Sequence, residues 1–154
     1  MPPRLRPRIL LVEDHDGRAA LIKTWLLDSM ICVRASSAAR AIGIIKRDGS
    51  LHNDHPPQYA GIMLDHDLDL QPLNAQDHAM NGQHVAQALC GHFSPDVPVF
   101  VHSTNPGGSA AMMAMLRDHG FDVIRCSQIK LQDDPTPLLR WLGEALEIWE
   151  DTQE

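Results

Sequence analysis

Three short apolar runs that each end abruptly in acidic or imidazole side chains restrict the folds open to this chain more than any other feature. Ile9-Leu10-Leu11-Val12 runs into Glu13-Asp14, and Ala60-Gly61-Ile62-Met63-Leu64 runs into Asp65-His66-Asp67. Val97 to Val101 runs into His102-Ser103-Thr104-Asn105-Pro106. An unbroken apolar run of this length, bounded by polar groups, reads as a strand buried on both faces, as in a parallel sheet covered by helices. Ile31 to Ala35 and Phe121 to Cys126 supply two more such strands.

Helical spacing fills the intervals. Gly17 to Met30 predicts an amphipathic helix with Ala20, Leu21, Trp25 and Leu26 on one face, and Ser36 or Ser37 caps a second that runs to about Lys46. Asp48 to Tyr59 reads as a polar loop and the segment after Asp67 as a long loop to Asn81-Gly82. Helices are then expected from Gln83 to about His92, from Ser109 to His119, and from Pro135 or Pro137 through Trp141, Leu142, Leu146 and Trp149, the last following a loop from Ser127 to Asp134. Five strands alternating with five helices imply right-handed crossovers and a flavodoxin-like, three-layer α/β sandwich around a five-stranded parallel sheet. In such sheets the ligand crevice lies beyond the carboxyl ends of the strands. Residues 1–154 are expected to form a single domain, with 1–7 flexible.

Composition narrows the function classes. The 154 residues are 44% hydrophobic and 21% charged, which suits an ordinary core, and the net charge of -7 argues against unguided binding to a phosphate backbone. Cys32, Cys90 and Cys126 are isolated, without a CxxC pair, which fits a reduced cytoplasmic compartment. The Pro- and Arg-rich start has no apolar signal region, and no stretch is long enough to span a membrane.

At the strand ends the side chains invite chemistry. Clustered carboxylates at Glu13, Asp14 and Asp65 repel one another and need a cation or a proton between them. Carboxylate oxygens suit a hard divalent ion, magnesium or else manganese. His66 and His102 add groups that exchange protons near neutral pH. A blander reading stands beside each. Asp14 and Asp16 serve equally as helix caps, Ser103 as a turn residue, and His66 as a bridge between Asp65 and Asp67. The remaining histidines read as surface groups, and Met112, Met113 and Met115 as core filling.

The same residues carry a resemblance. Ile9 to Asp14 (ILLVED) resembles the first strand and acidic pair of response-regulator receiver domains. Asp65 falls where that family is phosphorylated, Met80-Asn81-Gly82 is similar to the opening of its third helix, and Ser103 falls at its switching Ser/Thr. The receiver lysine, however, would fall near Ser127, with Lys130 about three residues late. The loop after Asp65 is long and carries Asp67, Asp69 and Asp77, and His66 and His102 are foreign to ordinary receivers. Leu64-Asp65-His66-Asp67-Leu68 together with His102-Ser103-Thr104-Asn105-Pro106 and Gly108 resembles the cyclic-phosphate-processing, receiver-like family, an atypical relative, over roughly residues 8 to 127.

That resemblance implies a metal-assisted phosphoesterase acting on a small cyclic phosphate ester or an RNA end. Glu13, Asp14 and Asp65 would hold the ion. Asp65, His66, Asp67, His102, Ser103 and Asn105 would form the catalytic group, with the amides at Gly107-Gly108 near the phosphate. The alternative is a stand-alone receiver phosphorylated on Asp65 that acts through a protein partner or a homodimer. With only Asp151 to Glu154 after the last helix, no DNA-binding output domain is expected.

Overall fold

The structure, a computed structural model, describes residues 5–52 and 55–153. Five strands, β1 (Arg8–Val12), β2 (Ile31–Ala35), β3 (Tyr59–Leu64), β4 (Val99–Val101) and β5 (Val123–Arg125), form one all-parallel sheet in the order β2-β1-β3-β4-β5. This is the flavodoxin-like order, as the sequence predicted. Between and after the strands lie α1 (Asp16–Trp25), α2 (Ala38–Asp48), α3 (Ala75–His78), α4 (Gly82–His92), α5 (Pro106–Asp118), α6 (Gln128–Asp133) and α7 (Thr136–Thr152).

Alternation along each strand divides the core in two. Leu10, Val12, Ile62, Leu64, Val99 and Val101 face α2, α4 and α5, where Ile45, Val85, Leu89, Met112 and Leu116 meet them. Ile9, Leu11, Ala60, Met63 and Phe100 face the other way, toward Ile22 of α1 and Leu138, Trp141 and Leu142 of α7. The central strands β1, β3 and β4 are therefore buried on both faces, which is why they read as apolar runs without alternation, while the edge strands β2 and β5 stay partly exposed. On the second face the Trp141 ring lies directly on Gly61. A Cβ there would come within 2.5 Å of the indole, so only glycine permits the approach.

The register places the reactive residues at one level. Val12 pairs with Leu64, Leu64 with Val101, and Val101 with Arg125. The ladder continues one step past the strands, with Asp65 N donating to Val12 O at 3.1 Å and His102 N to Leu64 O at 3.2 Å. Glu13, Asp65 and His102 thus leave adjacent strands together.

Several expectations are corrected. The first helix stops at Trp25 rather than Met30, because Leu26 turns to extended backbone (φ -69, ψ 149), and its buried residues are Ala19 and Ile22, not Ala20. The fifth helix begins at Pro106, three residues before Ser109, because Asn105 caps it through Gly108 N at 3.0 Å. The fourth and fifth strands are shorter than their apolar runs. The long loop contains the single turn α3, and the segment from Ser127 contains α6, for which Ser127 is the N-cap. Near the start, Pro7 O accepts from Ile31 N at 2.9 Å, and the Arg6 guanidinium reaches the carbonyls of Asp28 and Ser29. Residues 1–4 of the expected flexible start lie outside the described residues. No described helix is long and apolar enough to cross a membrane.

Candidate active site at the strand ends

Glu13, Asp65 and His102 are buried, and one ligand atom from each lies within 4.8 Å of the others. His102 Nε2 lies 3.2 Å from Glu13 Oε1. A carboxylate only accepts, so Nε2 carries the proton in this contact, and Nδ1 is left buried with no hydrogen-bond partner. Arg18, one turn into α1, reaches back over the same acids. Its Nε donates to Glu13 Oε1 at 3.1 Å and its Nη2 to Oε2 at 3.3 Å. The same Nη2 lies 3.6 Å from Asp65 Oδ2 and 3.7 Å from Asp14 Oδ1. On the other side, Arg34 Nε donates to the Glu13 carbonyl at 3.0 Å, which fixes the backbone of the acidic pair.

Proximity pushes the acids apart in proton affinity. Burial alone would raise Glu13, but the hydrogen bond and charge of His102, with help from His15 N–H and Arg18, hold it down at about 2. Asp14 goes the other way, to about 6, because burial and the neighbouring Glu13 and Asp65 outweigh the hydrogen bond from Leu70 N. Asp65 is also raised, chiefly by burial and against the opposing charges of His102 and Arg18. The site therefore keeps one carboxylate firmly ionised and two that hold protons more readily.

A second group stands at the mouth. His66 Nδ1 lies 2.8 Å from Asp67 Oδ1, and Asn105 Nδ2 donates to the same oxygen at 3.3 Å. The hydrogen bond from His66 holds the Asp67 carboxyl below its ordinary range despite some burial. With Nδ1–H given to Asp67, the lone pair of His66 sits on Nε2. Behind the ring, Gly108 makes room: a Cβ there would lie 2.5 Å from His66 Cγ.

The donor set fits a divalent cation. Glu13 and Asp65 offer hard carboxylate oxygens and His102 an imidazole nitrogen, and the buried Asp14 Oδ1 has no hydrogen-bond partner. Asp14 is turned partly aside, however, because its Oδ2 accepts from Leu70 N at 2.9 Å. The structure thus brings His102 into the group of potential ligands in which the sequence placed Asp14.

A family profile described as the cyclic-phosphate processing receiver domain matches residues 8–118. The chain belongs to this family. Among solved structures, this receiver domain is similar to the response regulator domain of Thermotoga maritima CheB, with 18% identity over 92% of this chain and 97% of that one and a TM-score of 0.61. It is similar also to the signal receiver domain of an HD domain-containing protein from Pseudomonas fluorescens Pf-5 (18% identity, 95% and 98% coverage, TM-score 0.61). A third is the receiver domain of a putative Luxo repressor protein from Vibrio parahaemolyticus (23% identity, 97% and 98% coverage, TM-score 0.58). At these identities the likeness establishes the fold. No curated protein matches the chain.

In this receiver domain several expected phosphate contacts are committed internally. Ser103 is buried and its Oγ accepts from Asn105 N at 3.0 Å, a turn contact that does not use its own O–H. Gly108 N is taken by Asn105 Oδ1. Asp77, counted among the extra loop acids, is a buried tether that accepts from Ala39 N and Leu73 N, each at 2.8 Å. His15 and His84 are exposed but cap α1 and α4. Sequence reasoning missed Arg18 and Gln128. The spacing of Arg18 from Asp14, one helical turn, was a usable signal for the first; nothing in the sequence marked the second.

Proposed function

We propose that this domain is a phosphoesterase that opens cyclic phosphates of nucleotides or RNA ends. The observation that carries the reading is the pairing of each strand-end histidine with its own carboxylate: His102 with buried Glu13, and His66 with Asp67 at the mouth. Two imidazoles oriented by two carboxylates are what a reaction needs when one proton must be taken and another given. His66, with Nδ1 engaged by Asp67, would take the proton of the attacking water on Nε2. His102, backed by Glu13, returns a proton to the ester oxygen that leaves as a hydroxyl. One P–O bond forms from water and one ring P–O bond breaks, so the ring opens to a phosphomonoester and a hydroxyl, with one proton taken by His66 and one given by His102.

Asn105 keeps Asp67 in line with His66, and Asp65 stands beside the reacting phosphate. A divalent ion on Glu13 and Asp65, with Asp14 nearby, would neutralise charge on the phosphate oxygens and leave His102 to the proton. Arg18 shares those acids and supplies fixed positive charge next to the same place.

Phosphorus NMR on the purified protein with magnesium or manganese tests the proposal, using a panel of cyclic nucleotide and cyclic ADP-ribose phosphates and a parallel sample of acetyl phosphate. Opening of a cyclic phosphate is expected, slowed about 100-fold or more in His102→Ala, the usual scale of general acid–base catalysis. Unchanged turnover in both Asp65→Asn and His102→Ala would sink the scheme. Inert cyclic phosphates together with a phospho-adduct lost in Asp65→Asn would make the domain a signalling receiver, a reading that the buried strand-end position of Asp65 also permits.

A further inference from the structure

Gln128 is the first residue of α6, on a segment that the function described above does not use. Its backbone N–H donates to His102 O at 3.0 Å, which pins the start of the helix to the end of β4. The residue is 1% exposed, and neither its Nε2 nor its Oε1 has a hydrogen-bond partner. Leaving both ends of a buried carboxamide unmatched costs folding free energy. Such a cost is tolerated where the group meets something that arrives later.

The residue borders a small cleft shared with Glu13, Arg18, Asp65, Asp67, His102 and Thr104. This cleft is acidic on balance. Among the described residues that line it, Arg18 is the one permanent cation, and it is already engaged with Glu13 and close to Asp65. A phosphate entering here meets carboxylates first, so each extra negative charge on it is penalised. A carboxamide adds a donor for a phosphate oxygen without adding a positive charge.

We infer that Gln128 binds the phosphate oxygens of the substrate and selects singly charged phosphodiesters over doubly charged phosphomonoesters. The inference rests on the phosphoesterase reading and deepens it. A cyclic phosphate carries one negative charge, and its opened product carries close to two at neutral pH. A neutral donor among carboxylates therefore holds the substrate and releases the product, and a lysine in its place would hold both.

The experiment uses 2′,3′-cyclic AMP and 3′-AMP as probes on wild type, Gln128→Met and Gln128→Lys, with binding followed by the side-chain amide signals in nitrogen-15 NMR and by KM. Wild type is expected to prefer the cyclic compound, with the Gln128 amide signals shifting on its addition. Gln128→Met, which keeps the length and removes the unmatched polar atoms, should weaken binding of the cyclic probe by about tenfold or more. The same variant should melt at or above the wild-type temperature, an outcome that a purely structural glutamine would not give. Gln128→Lys should shift the preference toward 3′-AMP by about tenfold. Binding by Gln128→Met within twofold of wild type, in a folded protein, overturns the inference and leaves the phosphoesterase reading standing. Failure of wild type to bind or open any cyclic phosphate overturns both.

Discussion

Asp77 shows how much one buried carboxylate does for the long segment that follows β3. It accepts from Ala39 N at the start of α2 and from Leu73 N within the segment, so one side chain ties the segment to α2. Burial opposes its ionisation, yet the hydrogen bonds from Leu73 and Ala39 prevail and hold its carboxyl below the ordinary range. Asp77→Ala should cost about 2 kcal/mol at pH 7, measured by urea unfolding. Because the folded state binds the proton less readily than the unfolded chain, this stabilisation is complete above about pH 3.9. It is lost as pH falls through the folded value, so the difference between variant and wild type should shrink at pH 3. A penalty independent of pH would mean that the carboxylate contributes only its shape. Single residues also mark the boundary of what the sequence disclosed. Glu13, Asp65 and His102 were visible because each follows an apolar run, and a parallel register brings such positions together. Arg18 and Gln128 were not, since their roles depend on where a helix turn and a short connecting helix come to rest.

Elements that bury long apolar stripes were legible, and those held by a single cap were not. The strands and α2, α4 and α7 carry enough periodic apolar residues to announce themselves. By contrast α3 and α6 are four and six residues long and depend on Asn74 and Ser127 as caps, so neither has a period to detect. The tryptophans of α7 hold it on the domain. Trp141 meets Phe100 with ring centroids 5.3 Å apart, and Trp149 Nε1 donates to Pro57 O at 3.1 Å. Trp141→Ala opens a cavity over Gly61 and should cost about 3–5 kcal/mol, while Trp141→Phe should cost less. Chemical unfolding followed by circular dichroism checks the order. Equal losses in the two variants would show that the indole contributes little beyond the position of the helix.

For the molecule as a whole, a net charge of -7 and the gathering of acids at one rim make folding sensitive to cations. A divalent ion that binds only the native rim stabilises it by mass action, about 1.4 kcal/mol at ten times its dissociation constant. Thermal unfolding should therefore rise by a few degrees with manganese or magnesium. A chelator should reverse the gain, and Glu13→Gln should remove most of it. A melting temperature indifferent to both ions would argue against a cation at this rim. The arrangement of Arg18 adds a threshold to any such response. Its guanidinium is a tethered rival that never dilutes away, so an incoming ion competes with a fixed local concentration of positive charge rather than with bare water. Occupancy then reports how far the ion outbids that resident, and trace amounts leave the rim in its self-neutralised state.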